Sequence, residues 1–505
     1  MIVLIIFGSV LVLYWYYKTR LPDDYPPSPP IRLPIIGHAV YSFFGTSASG
    51  AEAIDELYER FSKDGIMAFH MGPFKMVIIG NYELLHQCYK LEETNYRHAN
   101  KAIEDLARFL RNSDMSNAGI IEGSDKIWTQ QRRFALSTLK DFGFGKASME
   151  ILINEEVVQF MEYLDEQSQS GPIAVANMFN IAVLNILWQI VAGQRFDYHD
   201  KALNELVTMM NEAILSAGIK PSLALIFPFL RTIYPDIDPV VMNKQIMLKV
   251  KNFLADLVQS TFDQSNIRDL IDSYLLETLK TENEESSFHE TNGTEILLQT
   301  LIDLFFAGSE TTSSTLTWGI LYLIRNPDVQ FKLQQELDDV VGIGRMPSLL
   351  DRPKLPFLDA TILEIQRLGD VVPNGLVHAN PHSPVKIGKY VIPPGHMIQG
   401  DFSEIMQDPK YWKDAQEFKP ERHLDGQKRV VVDKRLIPFS VGKRRCPGES
   451  LAKAQLFLFL ASLLQRFHFQ PERADFYPST RSVVGVTRVP LPFKVRIIKR
   501  TLAAA

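Results

Sequence analysis

Cysteine is almost missing from this chain: only Cys88 and Cys446 occur in 505 residues. Two thiols cannot build a disulfide framework or a zinc cluster, and so low a count suits a reducing compartment. Charge of one sign is scarce as well. A formal net charge of −6 with 22% charged residues argues against a nucleic-acid binder. No internal repeat occurs, which sets solenoids and propellers aside. A dinucleotide fingerprint is lacking too, since the G-x-G at Gly342 to Gly344 has neither a third glycine nor a preceding strand.

Long apolar runs are rare, and the one that stands out is Ile2 to Tyr17, interrupted by Ser9. At 1.5 Å per residue it reaches about 24 Å, slightly short of a bilayer core. It lacks a basic leader, and bulky Tyr14 to Tyr17 stand where a cleavage site would need small residues. Residues 1–20 thus read as an uncleaved transmembrane anchor, with Lys18 and Arg20 placing the following chain in the cytosol. Pro22 to Pro34 can be neither helix nor central strand, so 21–37 reads as a proline-rich, semi-rigid hinge.

The two cysteines sit in different settings. Cys88 belongs to a helical pattern from Tyr82 and reads as a packing residue. Cys446 follows Lys443, Arg444 and Arg445 and precedes a helical pattern that runs from Leu451 to Phe467. A helix N-terminus beside a cationic run favours a thiolate, so this sulfur is expected deprotonated and ready for a metal. Gly442 and Gly448 allow a tight turn and close approach of a large flat ligand.

Phe439 to Gly448 fits F-x-x-G-x-R-x-C-x-G and resembles the haem-binding loop of the cytochromes P-450. In that family the cysteine thiolate is the axial iron ligand. The resemblance makes Cys446 the metal ligand and brings Phe439, Arg444 and Gly448 to the cofactor, haem b. Other stretches resemble the family in its order. Trp128 and Arg132, one turn apart, resemble the helix pair that contacts a haem propionate. Ala307-Gly308-Ser309-Glu310-Thr311-Thr312, inside a helix expected from Glu295 to Arg325, resembles the oxygen-binding groove, with Ala307 and Gly308 against the haem. There Glu310 and Thr311 are implied to be the catalytic proton donors. Glu364 and Arg367, with Arg422, resemble the structural triad of the proximal side, and Arg473 in a second Pro-Glu-Arg is a decoy. His378 is implied to bind a propionate, although Val377 stands where the family-2 clan of animal microsomal enzymes usually has proline. Asn266 to Leu275 resembles another stretch of that clan.

Length alone suggests about three domains. Because these motifs must meet one haem, we expect instead a single large catalytic domain over 38–505, mainly α with small β-sheets. The resemblance implies a haem-thiolate monooxygenase of the endoplasmic reticulum membrane that inserts one atom of O2 into a lipophilic small molecule. NADPH would serve indirectly, through NADPH-cytochrome P-450 reductase, with cytochrome b5 as a further partner. Lys428, Arg429, Lys434, Arg435, Lys443 and Arg445 form the expected docking face for an acidic partner. Pro221 to Pro235 is an apolar stretch that reads either as core or as a second membrane contact. A haem-thiolate isomerase or dehydratase, or a haem protein without turnover, is the alternative. Both sit poorly with an intact Glu310–Thr311 pair.

Overall fold

The computed structural model describes residues 20–44, 50–216, 227, 230–233 and 239–500. The expected anchor and most of 221–235 lie outside the described residues. Among the described residues no helix is long and apolar enough to cross a membrane.

Helices dominate, with four small sheets at the periphery. Eight helices position the site: α1 (Lys101–Arg111), α2 (Asp125–Asp141), α3 (Asn180–Ala192), α4 (Lys201–Ser216), α5 (Pro239–Thr261), α6 (Glu290–Arg325), α7 (Pro356–Gly369) and α8 (Glu449–Arg466). The central one, α6, has 36 residues and spans about 54 Å. It begins at Glu290 rather than Glu295, because a first turn tolerates polar residues whose N–H groups lack intrahelical partners. Asn326 and Pro327 end it as expected. α3, α5, α7 and α8 all pack on α6. Leu297, Leu301, Phe305 and Leu316 are fully buried in that contact, and Trp188 of α3 meets Phe305 edge-on at 5.0 Å. Burying such side chains stabilises by about 1.5–3 kcal/mol each, which makes α6 the rod around which the other helices are ordered.

The largest sheet runs β1 (Ile66–Met71), β2 (Phe74–Ile79), β4 (His396–Gly400), β3 (His378–Asn380). The β1–β2 hairpin turns at Gly72, with Met71 opposite Phe74, as the alternation around Gly72-Pro73 predicts. β4 joins β2 in parallel and β3 antiparallel, which sets His378 opposite Ile398. Near the C-terminus β5 (Ser482–Val484) and β6 (Arg488–Pro490) form a second hairpin. Cys88 is fully buried, and burial pushes its thiol up to about 12, as suits a packing residue.

The proline-rich segment does not hang free of the globule. Asp24 O accepts from Val391 N and Pro27 O from Ala68 N, at 2.8 and 2.7 Å. Tyr25, 6% exposed, sits among histidines from three places in the chain. The Pro393 carbonyl can only accept, so His396 Nδ1 carries a proton and its Nε2 accepts from the Tyr25 hydroxyl at 2.9 Å. The Tyr25 oxygen then accepts from His70 Nε2–H, also at 2.9 Å. His38 Nδ1 accepts from His70 N. Every ring in this chain of bonds is neutral.

Burial lowers His38 and His396 to about 4 and His70 to about 3. Unfolded histidine titrates near 6.5, so the unfolded chain binds more protons below that pH. The network's contribution is therefore complete above about 6.5 and is lost as pH falls toward 4. Tyr25→Phe should lower stability by about 1–2 kcal/mol near neutral pH, because two buried histidine groups lose their partner. A chain starting at Pro26 should lose at least as much, whereas one starting at Leu21 should not. Thermal unfolding across pH 4–8 checks both; equal melting of the two truncations would contradict the docked segment.

Candidate active site

Cys446 and the middle of α6 face each other across one cavity of about 690 Å³. The loop that delivers the sulfur is held by backbone. Cys446 N donates to Phe439 O at 3.0 Å, and Ser440 and Gly442 take positive φ. A Cβ on Gly442 would lie 2.0 Å from Tyr89 O, so only glycine fits this seat. Gly448 caps α8, and Cys446, an exposed thiol, opens onto the cavity with Phe439 beside it.

The surroundings of this sulfur act on it in both directions. Burial pushes its pKa up, and Glu449 adds to this, while the Gly448 N–H, Arg132 and Arg445 pull only partly the other way. The charges of the cationic run also have partners of their own. Lys443 pairs with Glu92 and Arg445 with Glu449, and Arg444 turns inward onto Asn95 O. A bound metal cation would favour the ionised sulfur further.

On one side of the cavity three guanidinium groups converge without a carboxylate ion pair among the described residues: Arg97, Arg132 and Arg444. Main-chain carbonyls hold them, from Ile121 and Val377 for Arg97, Arg445 for Arg132, and Asn95 and Gly123 for Arg444. Burial, with Arg97 and Arg132 adding repulsion, pulls Arg444 down to about 8. The Trp128 ring lies under Arg444 at 3.9 Å, and its buried Nε1 has no acceptor among the described residues. Clustered cations and an orphaned indole N–H are a donor set for carboxylates, and haem carries two. The residues present fit that group.

His378 borders the cavity but is not a further cation. Its ring stacks on Tyr89 with centroids 3.7 Å apart, and Nδ1 meets Thr94 O at 2.9 Å. Burial holds its pKa well below the ordinary value, and Arg97 adds to this. With Nδ1–H given to Thr94, neutral His378 offers Nε2 only as an acceptor. Arg97, not singled out in the sequence, is the cation at this place, and nothing local in Tyr96-Arg97-His98 signals it.

Across the cavity, hydroxyls bond back onto the carbonyls of an uninterrupted α6. Thr311 Oγ1 donates back to Ala307 O at 2.9 Å, and Thr315 Oγ1 to Thr311 O at 2.8 Å. Gly308 borders the cavity, but its missing Cβ also makes room for Leu187 of α3, which would lie 2.3 Å away. Glu310 is 4% exposed and accepts from Ser314 Oγ at 2.7 Å and Asn180 Nδ2 at 3.1 Å. It therefore bridges α6 to α3, a packing role the sequence did not suggest. Burial pushes its carboxyl up.

A family model described as Cytochrome P450 matches residues 26–497. The chain belongs to the cytochrome P450 family. Cytochrome P450 2J3 of Rattus norvegicus is 33% identical over 474 residues, covering 92% of this chain and 89% of the relative. Cytochrome P450 2J2 of Homo sapiens is 32% identical over 486 residues, covering 95% and 92%. A farnesoate epoxidase of Bombyx mori is 29% identical over 500 residues, covering 98% of each chain. Membership makes this P450 a haem-thiolate monooxygenase of lipophilic substrates, driven by NADPH electrons that a redox partner delivers.

The end of α7 in this P450 carries a buried ion cluster. Glu364 and Arg367 have no exposed side-chain surface and are bidentate at 2.9 and 3.0 Å; Arg422 Nε adds a bond at 2.9 Å. His423 Nε2, at 3.0 Å, is a fourth member that the sequence reading missed. Burial alone would raise Glu364, but His423 and Arg367 hold it down to about 2. Removing one partner of such a cluster typically costs about 3–5 kcal/mol. Arg473 pairs with Asp475 on the surface, away from the cluster. Also missed was Asp303, which accepts from Ile120 N and Ile121 N at 2.8 Å and pairs with Arg111 at 3.0 Å. Its only signal was a lone carboxylate in an apolar helix, four residues before Ala307. It ties the segment after α1 to α6 beside the cavity.

Proposed function

We propose that haem b lies between α6 and the 439–448 loop, with Cys446 Sγ on the iron and Arg97, Trp128, Arg132 and Arg444 at the propionates. The chain would insert one atom of O2 into an apolar molecule by hydroxylation or epoxidation. The carrying observation is that Cys446 and the Ala307–Thr311 stretch line one cavity together with three guanidinium groups that have no carboxylate ion pair among the described residues. When bound, the haem supplies dioxygen activation at an iron made electron-rich by its thiolate.

The chain's own residues bind, orient and supply protons. Ile103, Leu110, Phe306, Val371 and Val486 give the cavity apolar walls that bind a lipophilic substrate and exclude water. Glu310, its pKa raised by burial, is held in position by Asn180 and Ser314. Thr311 Oγ1, half-buried at the cavity edge, exchanges its bond to Ala307 O for one into the cavity and passes a proton there. The reaction of the farnesoate epoxidase relative supports epoxidation among the chemistries considered.

Residues 1–20 would anchor the chain in the endoplasmic reticulum membrane, facing an NADPH-cytochrome P-450 reductase and cytochrome b5 in the cytosol. The docking face we favour is not the one expected from sequence. Of that set, Arg429 pairs with Asp425, Lys434 with Glu83, Arg435 with Asp408, Lys443 with Glu92 and Arg445 with Glu449. Lys126, Arg133 and Lys140 are exposed on α2 at heptad spacing, with no ion pair among the described residues. α2 touches the cysteine loop through Arg132 and Arg445 O, so this stripe suits an acidic flavoprotein.

Thr311→Ala should keep haem content and the reduced carbonyl spectrum while lowering product per NADPH by about tenfold or more, since a positioned proton donor contributes 10²–10⁴-fold. Hydrogen peroxide should rise correspondingly. Thr312→Ala should do less, its side chain lying about 100° further round the helix. Turnover of a substrate chosen by binding-spectrum screening reads both, and normal coupling in Thr311→Ala would contradict the relay.

In vesicles with reductase, replacing Lys126, Arg133 and Lys140 with Glu should cut turnover and its salt dependence, leaving cumene hydroperoxide-driven turnover intact. A chain lacking residues 1–20 should no longer sediment with the vesicles. Unchanged reductase-driven rates or full retention would count against the docking face or the single anchor, respectively.

A further inference from the structure

Two cavity walls far apart in sequence hang from one arginine. Arg488, at the start of β6, donates its backbone N–H to Val371 O at 2.8 Å. Its carbonyl accepts from Trp318 Nε1 of α6 at 3.1 Å. The guanidinium reaches Asp370 Oδ2 at 3.0 Å and Ser403 Oγ at 3.1 Å. The Ser403 hydroxyl also donates to Asp370 Oδ2, which closes the ring of bonds.

Asp370 caps the C-terminus of α7 in the left-handed region, φ 41°, and is 1% exposed. Glycine or asparagine is the ordinary choice there. Keeping a carboxylate instead, with Oδ1 lacking a partner among the described residues, needs a reason beyond capping. A buried ion pair is weak evidence for stability by itself, but it fixes geometry well.

What it fixes is the cavity. Val371 and Val372 follow Asp370 and line one wall; Val486 and Thr487 precede Arg488 and form a tip that enters from another side. Neither part has slack. A Cβ on Gly375 would lie 2.7 Å from Phe402, and one on Gly485 would lie 2.2 Å from Ile214 O at the end of α4. Val486 N donates to that same Ile214 O at 3.0 Å. A shift at Arg488 must therefore move the tip, the Val371 wall, or both.

We propose that Asp370 and Arg488 are positioning residues that set the separation of the Val371–Val372 wall and the Val486–Thr487 tip, and so select which part of an apolar substrate is presented for oxidation. The inference rests on the reading of this cavity as the place where haem and substrate meet.

The test uses full-length, haem-loaded protein and phenyldiazene, which labels the porphyrin nitrogens that the distal walls leave open. The ratio of N-phenyl isomers maps those walls without a substrate. Asp370→Asn and Arg488→Met should each shift the ratio, and amide exchange at Arg488 should quicken in Asp370→Asn. The double variant should shift no further than either single one, as coupled residues do, and Arg488→Lys should move the ratio part-way back. A lowered melting temperature with an unaltered isomer ratio would reduce the pair to a structural role and overturn the proposal, as would additive shifts. Should the charge variants fail to fold, Ser403→Ala removes one link at little cost in packing; an unaltered ratio there has the same force. The reduced carbonyl spectrum of the unsubstituted protein checks the haem reading separately.

Discussion

The contact of Gly442 with Tyr89 is the constraint on which the site depends. It seats the cysteine loop on residues 88–97, and that short segment reaches nearly every other part of the site. Tyr89 stacks on His378 and accepts from Gly400 N of β4 through its hydroxyl. Thr94 O takes His378 Nδ1–H, Asn95 O takes Arg444, and Arg97 supplies a guanidinium of its own. Sheet, loop and cation cluster are thus held by one stretch of ten residues whose own sequence carries no motif.

The parts legible in the sequence are those whose chemistry is local. Phe439 to Gly448, Glu364 to Arg367 and Ala307 to Thr312 each hold their essential groups within about three helical turns, so spacing alone exposes them. The rest depended on partners far away in the chain. The partner of Lys443 could not be read because Glu92 lies hundreds of residues earlier. The same holds for Arg97, for His423 beside Arg422, for Asp303 with Arg111, and for three histidines around Tyr25. The long helix and the β1–β2 hairpin were legible because period and turn chemistry state them directly; helix starts were not, since polar residues suit a first turn as well as a loop.

A cluster of buried guanidinium groups and an unpartnered indole N–H lower stability when nothing offsets them. Two carboxylates placed among Arg97, Arg132, Arg444 and Trp128 would offset that cost, which links cofactor binding to folding by mass action. The ion cluster at the end of α7 needs no such help. Glu364 is already saturated by Arg367, Arg422, His423 and Lys419 N, so this cluster is complete before any ligand arrives.

The account stands or falls on the sulfur of Cys446. The direct measurement is the absorption of the reduced, carbon monoxide-treated protein in two single variants. Cys88→Ser should keep the red-shifted Soret band that a thiolate ligand gives, because that buried thiol only packs. Cys446→Ser should lose the band; a retained band in Cys446→Ser would contradict the central assignment.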